Sequence, residues 1–256
     1  MSDDNRKQSR TLFISDLHLD SDTPAITHTF LDFLERQATG ARALYILGDL
    51  FEAWVGDDDH GELSDNVADA LARLADGGTD VFLMHGNRDF LIGRDYAARC
   101  RATLLEDPTV TDCHGQRIAL MHGDSLCTRD NEYMAFRQQV RSPEWQDVFL
   151  SKSLVERYMI AQQAREQSRE ANTHKTSDIM DVTYSEVIDT LHELDVTVLV
   201  HGHTHRPAVH TITLEDPVHS KDTAVRIVLG DWHNKGWVLE FTDEGYELRN
   251  FPLLKA

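Results

Sequence analysis

The stretch "LVHGHTHRP", residues 199–207, places His201, His203 and His205 at every second position directly after an apolar run. The same arrangement recurs along the chain. "TLFIS" at 11–15 leads into Asp16 and His18, "ALYIL" at 43–47 into Asp49, "DVFLM" at 80–84 into Asn87, Arg88 and Asp89, and "RIALM" at 117–121 into His122 and Asp124. These runs are short, apolar and rich in β-branched residues, which predicts buried strands. Each is closely followed by groups able to bind a hard or borderline metal ion. In α/β sheets the ligand crevice lies outside the carboxyl ends of the strands, so five such ends predict one shared site.

Asp16, His18, Asp49, Asn87, His122, His203 and His205 are too many donors for a single ion that keeps an open position. They suit two ions sharing one carboxylate, held about 3.5–4 Å apart, which clamp an in-line displacement at phosphorus and lower the pKa of a bound water. Mixed oxygen and nitrogen donors without thiolates point to two Mn²⁺ per chain, with Fe²⁺, Co²⁺ or Zn²⁺ as alternatives. Read singly, the pieces have plainer explanations, Asp49 as a helix N-cap and Asn87 as a turn residue. Their order at five strand ends carries the metal reading.

The 256 residues accommodate one large domain with an insertion. Lys and Arg number 25 against 44 Asp and Glu, a formal net charge of −19. Such a surface repels polyphosphate chains, so no nucleic-acid partner is expected and any phosphate substrate must be attracted locally. Cys100, Cys113 and Cys127 are odd in number and widely spaced with no C-x-x-C, which indicates neither a zinc knuckle nor a disulfide framework and fits a reducing compartment. No apolar run approaches the ~20 residues of a membrane span, and "MSDDNRKQSR" lacks the apolar core of a signal peptide. It reads as a short mobile leader on a cytoplasmic protein that can still lie on a membrane surface.

Further strands are predicted at 195–200, 224–229 and 237–241, and helical spacing joins Phe30, Leu31 and Leu34, then Val67, Leu71 and Leu74. Alternating strand and helix implies an α/β core, while the final third is mostly strand and turn; a sandwich of two sheets with helices outside accommodates both. Residues 126–178 have helical propensity, broken at Pro143, and are expected to form an insertion between core segments 1–125 and 179–256, with 177–194 returning as a core helix. The insertion's aromatics, among them Tyr133, Phe136, Trp145 and Phe149, read as a core-facing stripe or, for a lipid ligand, as one wall of a cleft. "DDDHGE" at 57–62 reads as a solvated acidic loop.

The ordered blocks D-x-H (Asp16 to His18), G-D (Gly48-Asp49), G-N (Gly86-Asn87), a lone H-G (His122-Gly123) and G-H-x-H (Gly202 to His205) resemble those of the calcineurin-like metallophosphoesterases. The resemblance implies a four-layer α-β-β-α sandwich. It assigns Asp16, His18, Asp49 and His205 to one metal and Asp49, Asn87, His122 and His203 to the other, with Asp49 bridging. His201 then stays within its strand. One departure is informative: most members continue G-N-H, whereas Arg88 follows Asn87 here. With a pKa above ~12 an arginine is no acid, but it can hold phosphate oxygens bidentately. A phosphate leaving group, with its second pKa of about 6, needs no proton, so the substitution points to pyrophosphate cleavage.

"GDLFEAWVGDDD" at 48–59, "HGNRDFLIG" at 85–93 and the insertion together resemble a narrower family, the UDP-2,3-diacylglucosamine diphosphatases of lipid A synthesis. That resemblance implies hydrolysis of UDP-2,3-diacylglucosamine to UMP and 2,3-diacylglucosamine 1-phosphate, by water that two metals activate for attack on the α-phosphorus. It implies catalytic roles for Asp49, Arg88 and His122 and substrate contacts at Asn87, Arg88, His203, Asp130, Ser168, Asn172 and Lys175. The last three are spaced four and three apart, one face of a helix. It further implies a monomer bound peripherally to the cytoplasmic face of the inner membrane, aided by Arg137, Arg141, Lys152, Arg157 and Arg165 of the insertion. Asp124 is expected to orient His122. Alternatives are another metal-dependent nucleotide pyrophosphatase, acting on a dinucleoside polyphosphate or nucleotide sugar, and a non-catalytic scaffold.

Overall fold

The apolar runs pair into two mixed sheets. A computed structural model describes residues 10–174, 179, 181–218 and 221–255. The strands are β1 Thr11–Ile14, β2 Ala43–Leu47, β3 Asp80–Met84, β4 Thr103–Leu105, β5 Thr109–Cys113, β6 Gln116–Met121, β7 Val198–His201, β8 Ala208–Val218, β9 Lys221–Val228, β10 Lys235–Thr242 and β11 Gly245–Pro252. One sheet has the order β11-β10-β1-β2-β3-β4 and the other β5-β6-β7-β9-β8. Strands β1 to β4 run parallel, as do β6, β7 and β9. Both sheets therefore present several carboxyl ends in one direction.

Side-chain alternation explains the layering. Successive residues of a strand face opposite sides, so in β1 Phe13 enters the core between the sheets while Leu12 and Ile14 face the helices outside. In β2, Tyr45 and Leu47 point inward and Leu44 and Ile46 outward. In β7, Val198 and Val200 join the inter-sheet core and Leu199 the opposite layer. The outer layer of the first sheet holds α1 (Pro24–Phe33), which continues as a π-helical turn over Leu34–Ala38, then α2 (Glu62–Asp76) and α3 (Arg94–Arg99). The outer layer of the second sheet holds α7 (Tyr184–Glu193), through Val187 and Leu191. This is the expected α/β sandwich.

Between β6 and α7 lie α4 (Asn131–Val140), α5 (Pro143–Leu150) and α6 (Leu154–His174). Asp130 caps α4 by accepting the Tyr133 amide, and Ser142 caps α5 by accepting that of Trp145, with Pro143 at the first turn where its missing N–H costs nothing. The helix expected over 177–194 begins only at Tyr184.

Strands β4, β5, β8 and β11 escaped the sequence reading, and each is the edge of its sheet. A strand with a neighbour on one side alone carries fewer buried positions. "TVTDC" and "GYELRNFP" accordingly lack a continuous apolar run.

Candidate metal centre

The strand ends deliver their donors in sharply bent backbone. Asp16, His18, Asp49, His203 and His205 all have positive φ, between 51° and 65°. Such values cost a non-glycine residue energy and cluster at functional sites. Close approach dictates the neighbouring glycines: a Cβ on Gly86 would sit 2.1 Å from Asp49 Oδ1, and one on Gly202 would sit 2.3 Å from Asp16 Oδ2.

All seven predicted donors come together, in two groups. Donor atoms of Asp16, His18 and His205 lie within 4.8 Å of one another, as do those of Asp16, Asp49 and His122. His18 Nε2 is 3.2 Å from His205 Nε2, and His205 Nε2 is 3.4 Å from Asp16 Oδ1. On the other side, Asn87 Oδ1 is 3.0 Å from His122 Nε2 and 2.8 Å from His203 Nδ1. Asp49 stands between them, with Oδ2 3.8 Å from His18 Nε2 and Oδ1 3.8 Å from His122 Nε2.

This donor set fits divalent cations. His122 Nδ1 lies 2.9 Å from the Leu47 carbonyl and so carries the proton. Its Nε2 then faces the Asn87 amide oxygen, a pairing that either a proton on Nε2 or a cation shared by the two relieves. Donors bound at about 2.0–2.2 Å around one ion stand roughly 3 Å apart, which matches the observed 2.8–3.4 Å separations. The field agrees. Burial alone would depress the imidazole of His122, but the carboxylates of Asp49, Asp124 and Asp16 overcome it and raise the group to about 9. His18 and His205 are raised against burial as well, by Glu52, Asp49 and Asp16 around the first and by Asp16 around the second. Asp16 is driven well below the usual carboxylate range, since His205, His122 and His18 outweigh its burial. A pocket that pulls protons onto three imidazoles attracts divalent cations for the same reason. His203, pulled down to about 3 by burial and then by His122, offers a neutral nitrogen.

Around the donors, His203 donates its amide to Asp16 at 3.1 and 3.0 Å, and Arg88 donates its amide to Asp49 Oδ1 at 2.8 Å. His201 stays in β7, fully buried; burial, then Arg226, hold it at about 4, so it is neutral.

A family model described as "Calcineurin-like phosphoesterase" matches residues 9–207. A protein of Cellvibrio japonicus named UDP-2,3-diacylglucosamine hydrolase is 51% identical over 243 residues, 95% of this chain and 99% of its own length. One of that name from Chromohalobacter salexigens is 52% identical over 235 residues, covering 91% and 94%, and one from Pseudomonas fluorescens is 48% identical over 243, covering 95% and 96%. The chain belongs to the UDP-2,3-diacylglucosamine hydrolases, a family of calcineurin-like phosphoesterases. The match to these hydrolases covers nine-tenths or more of both chains and so includes α4 to α6.

Other expectations for this hydrolase are corrected. Asp124 does not orient His122, whose Nδ1 meets Leu47 instead. The Asp124 carboxylate, fully buried, accepts the Tyr133 hydroxyl at 2.6 Å and Arg137 Nε at 2.8 Å, anchoring α4 behind the site. The Tyr133 ring in turn stacks on His203, centroids 6.0 Å apart. The acidic loop at 57–62 is largely solvent-exposed, as expected, but it is also tied to its surroundings. Asp57 accepts the Gly93 and Tyr96 amides at 2.8 and 2.9 Å, at the start of α3, and Asp58 holds Arg157 of α6 bidentately at 2.5 and 2.6 Å. Four arginines expected to face a membrane are turned inward: Arg137 to Asp124, Arg141 to the Gly86 carbonyl, Arg157 to Asp58 and Arg165 to the Glu52 carbonyl.

Of the expected substrate contacts, Asp130 is the N-cap of α4 and largely buried. Ser168 and Asn172 fall on α6, and Lys175 lies outside the described residues. Sequence reasoning missed Glu52 and the buried role of Asp89. Both sit inside quoted motifs, and their acidic type next to donor residues was the available signal.

Proposed function

We propose that the chain hydrolyses the pyrophosphate bond of UDP-2,3-diacylglucosamine, giving UMP and 2,3-diacylglucosamine 1-phosphate, with two Mn²⁺ held around Asp49. The observation that carries this reading is identity near one half, over almost the full length, to hydrolases of that substrate, in a chain whose seven donors converge. Asp16, His18 and His205 would hold one ion and Asn87, His122 and His203 the other, with Asp49 standing between the two groups. Ions bound there supply Lewis acidity, polarising a phosphoryl oxygen and making water nucleophilic near neutral pH.

The chain's own residues do the rest. Arg88, its backbone pinned through Asp49 Oδ1, binds oxygens of the phosphate under attack. No side chain need protonate the leaving group, because a phosphate monoester departs as an anion already, its second pKa being about 6. Asn87 and His203 touch the substrate from the second cluster, and Asp130, Ser168, Asn172 and Lys175 of the insertion over 126–178 hold its sugar and phosphate. Core segments 1–125 and 179–256 carry the metals.

No helix among the described residues is long and apolar enough to cross a membrane. Val148, Val155, Tyr158 and Met159 of α5 and α6 are nevertheless half or more exposed, and each methylene sheltered by lipid gains ~0.8 kcal/mol. That apolar face and a diacyl substrate support peripheral binding to the cytoplasmic face of the inner membrane, which we propose together with a monomeric state. The test is phosphorus NMR of protein, Mn²⁺ and UDP-2,3-diacylglucosamine in ¹⁸O-water. UMP carrying the label is expected; label in the lipid product would refute attack at the α-phosphorus, and no turnover would refute the activity.

A further inference from the structure

Glu52 follows Asp49 by three residues, and its two carboxylate oxygens are divided between different partners. Oε2 lies 3.0 Å from His18 Nδ1, and Oε1 lies 3.7 Å from an Arg88 guanidinium nitrogen. Its backbone is held at both ends. The amide donates to the Leu19 carbonyl at 3.1 Å, one residue beyond His18, and the carbonyl accepts Arg165 of α6 at 3.0 Å. His18 is 6% exposed and Glu52 27%, so this is no loose surface pair of the kind that contributes little.

We infer that Glu52 is a positioning residue that sets the His18 imidazole and the Arg88 guanidinium at once, an inference that rests on the proposed reading of His18 as a metal ligand and Arg88 as a phosphate contact. A carboxylate oxygen 3.0 Å from Nδ1 favours a proton on that nitrogen and so restrains the ring. Nε2 then presents its lone pair toward Asp49 Oδ2, 3.8 Å away, and His205 Nε2, 3.2 Å away. Outer partners of this kind typically govern metal affinity by ~10–100-fold. The other oxygen restrains Arg88, which is 30% exposed and would otherwise sample many rotamers. One side chain thereby sets the spacing between a metal ligand and the group that meets the phosphate, and Arg165 ties that spacing to the insertion.

The two roles separate by substitution. Glu52→Ala removes both, and Glu52→Gln leaves an amide oxygen for the Nδ1 proton but no charge for Arg88. Mn²⁺ titration followed by electron paramagnetic resonance needs no substrate. It is expected to show affinity weakened ~10–100-fold in Glu52→Ala and mostly restored in Glu52→Gln. Turnover of Mn²⁺-saturated Glu52→Gln is expected to fall, and adding Arg88→Ala to it should cost less than Arg88→Ala costs the wild type, a coupling that only interacting residues give. Folded Glu52→Ala that binds Mn²⁺ as tightly as wild type, or additive effects of Glu52→Gln and Arg88→Ala, would overturn the assignment. If Glu52→Ala does not fold, the Glu52→Gln cycle decides. Wild-type protein that binds Mn²⁺ but leaves the lipid intact would sink the proposed activity alone, with the titration still deciding the placement of His18.

Discussion

Asp89 and Asp49 belong to different strand ends, yet the Asp89 carboxylate accepts the Asp49 amide at 3.2 Å. It also accepts the amides of Leu50 at 2.7 Å, Phe51 at 3.4 Å and Gly86 at 2.8 Å, and it is fully buried. A single anion thus locks the loop carrying the shared carboxylate to the loop carrying Asn87. In Asp89→Asn one oxygen becomes an NH₂ that faces donors, so two charge-assisted hydrogen bonds are lost, at ~1.5–3 kcal/mol each. A loss on the order of 3 kcal/mol should lower the Tm of metal-free protein by roughly 6–12 °C. An unchanged melting curve would show that the four contacts contribute nothing.

If each oxygen of Asp49 serves one donor group, as its two 3.8 Å approaches suggest, its removal should affect both ions, whereas removal of His205 should affect one. Metal analysis of dialysed protein is expected to find close to two Mn²⁺ per chain in the wild type, close to one in His205→Ala and almost none in Asp49→Ala. Equal stoichiometry in the two variants would refute the shared role. Chelation with EDTA should abolish hydrolysis in the wild type, and added Mn²⁺ should restore it.

The donor set was legible because each member sits at the end of a buried strand, and burial on both faces writes a continuous apolar run into the sequence. The edge strands β4, β5, β8 and β11 were not legible, since exposure dilutes that run. The left-handed backbone at Asp16, His18, Asp49, His203 and His205 left no local sign either, because those residue types are chosen for their donors and the strain is carried by the surrounding fold. Contacts between segments far apart in sequence fared worst. Nothing local tells that Asp58 meets Arg157, or that Glu52 meets His18, while Asp124 stood close enough to His122 in sequence to suggest a pairing the fold does not make.

Arg88 replaces the histidine expected of most relatives in the superfamily, and its position beside Glu52 and Asp49 fits a clamp on phosphate oxygens. Arg88→Ala is therefore expected to keep its bound metal and lose kcat by ~10²–10³, the usual cost of removing one preorganised donor to developing charge. Arg88→Lys should recover only part, since an ammonium cannot bind two oxygens in a planar fork. Arg88→His, if it restored activity more fully than lysine, would mean that the leaving group needs an acid after all.

The cysteines make a test that is independent of the metals. Burial pushes the thiols of Cys100 and Cys127 up to about 12 and that of Cys113 to about 11, and all three side chains are almost wholly buried. Thiolate is the reactive form, so iodoacetamide at pH 8 should leave the native protein unmodified and label three positions after denaturation. The sign of the linkage follows. Each thiol's folded pKa lies above the ordinary value of 9, so the unfolded chain releases protons first as the solution becomes alkaline. Their contribution to stability is intact below about pH 9 and is lost progressively toward pH 11 and above. Replacing Cys113, between the sheets, with Ala should flatten the alkaline decline in stability measured by denaturant unfolding. A variant that declines as steeply as wild type would show that the Cys113 thiol does not contribute to it.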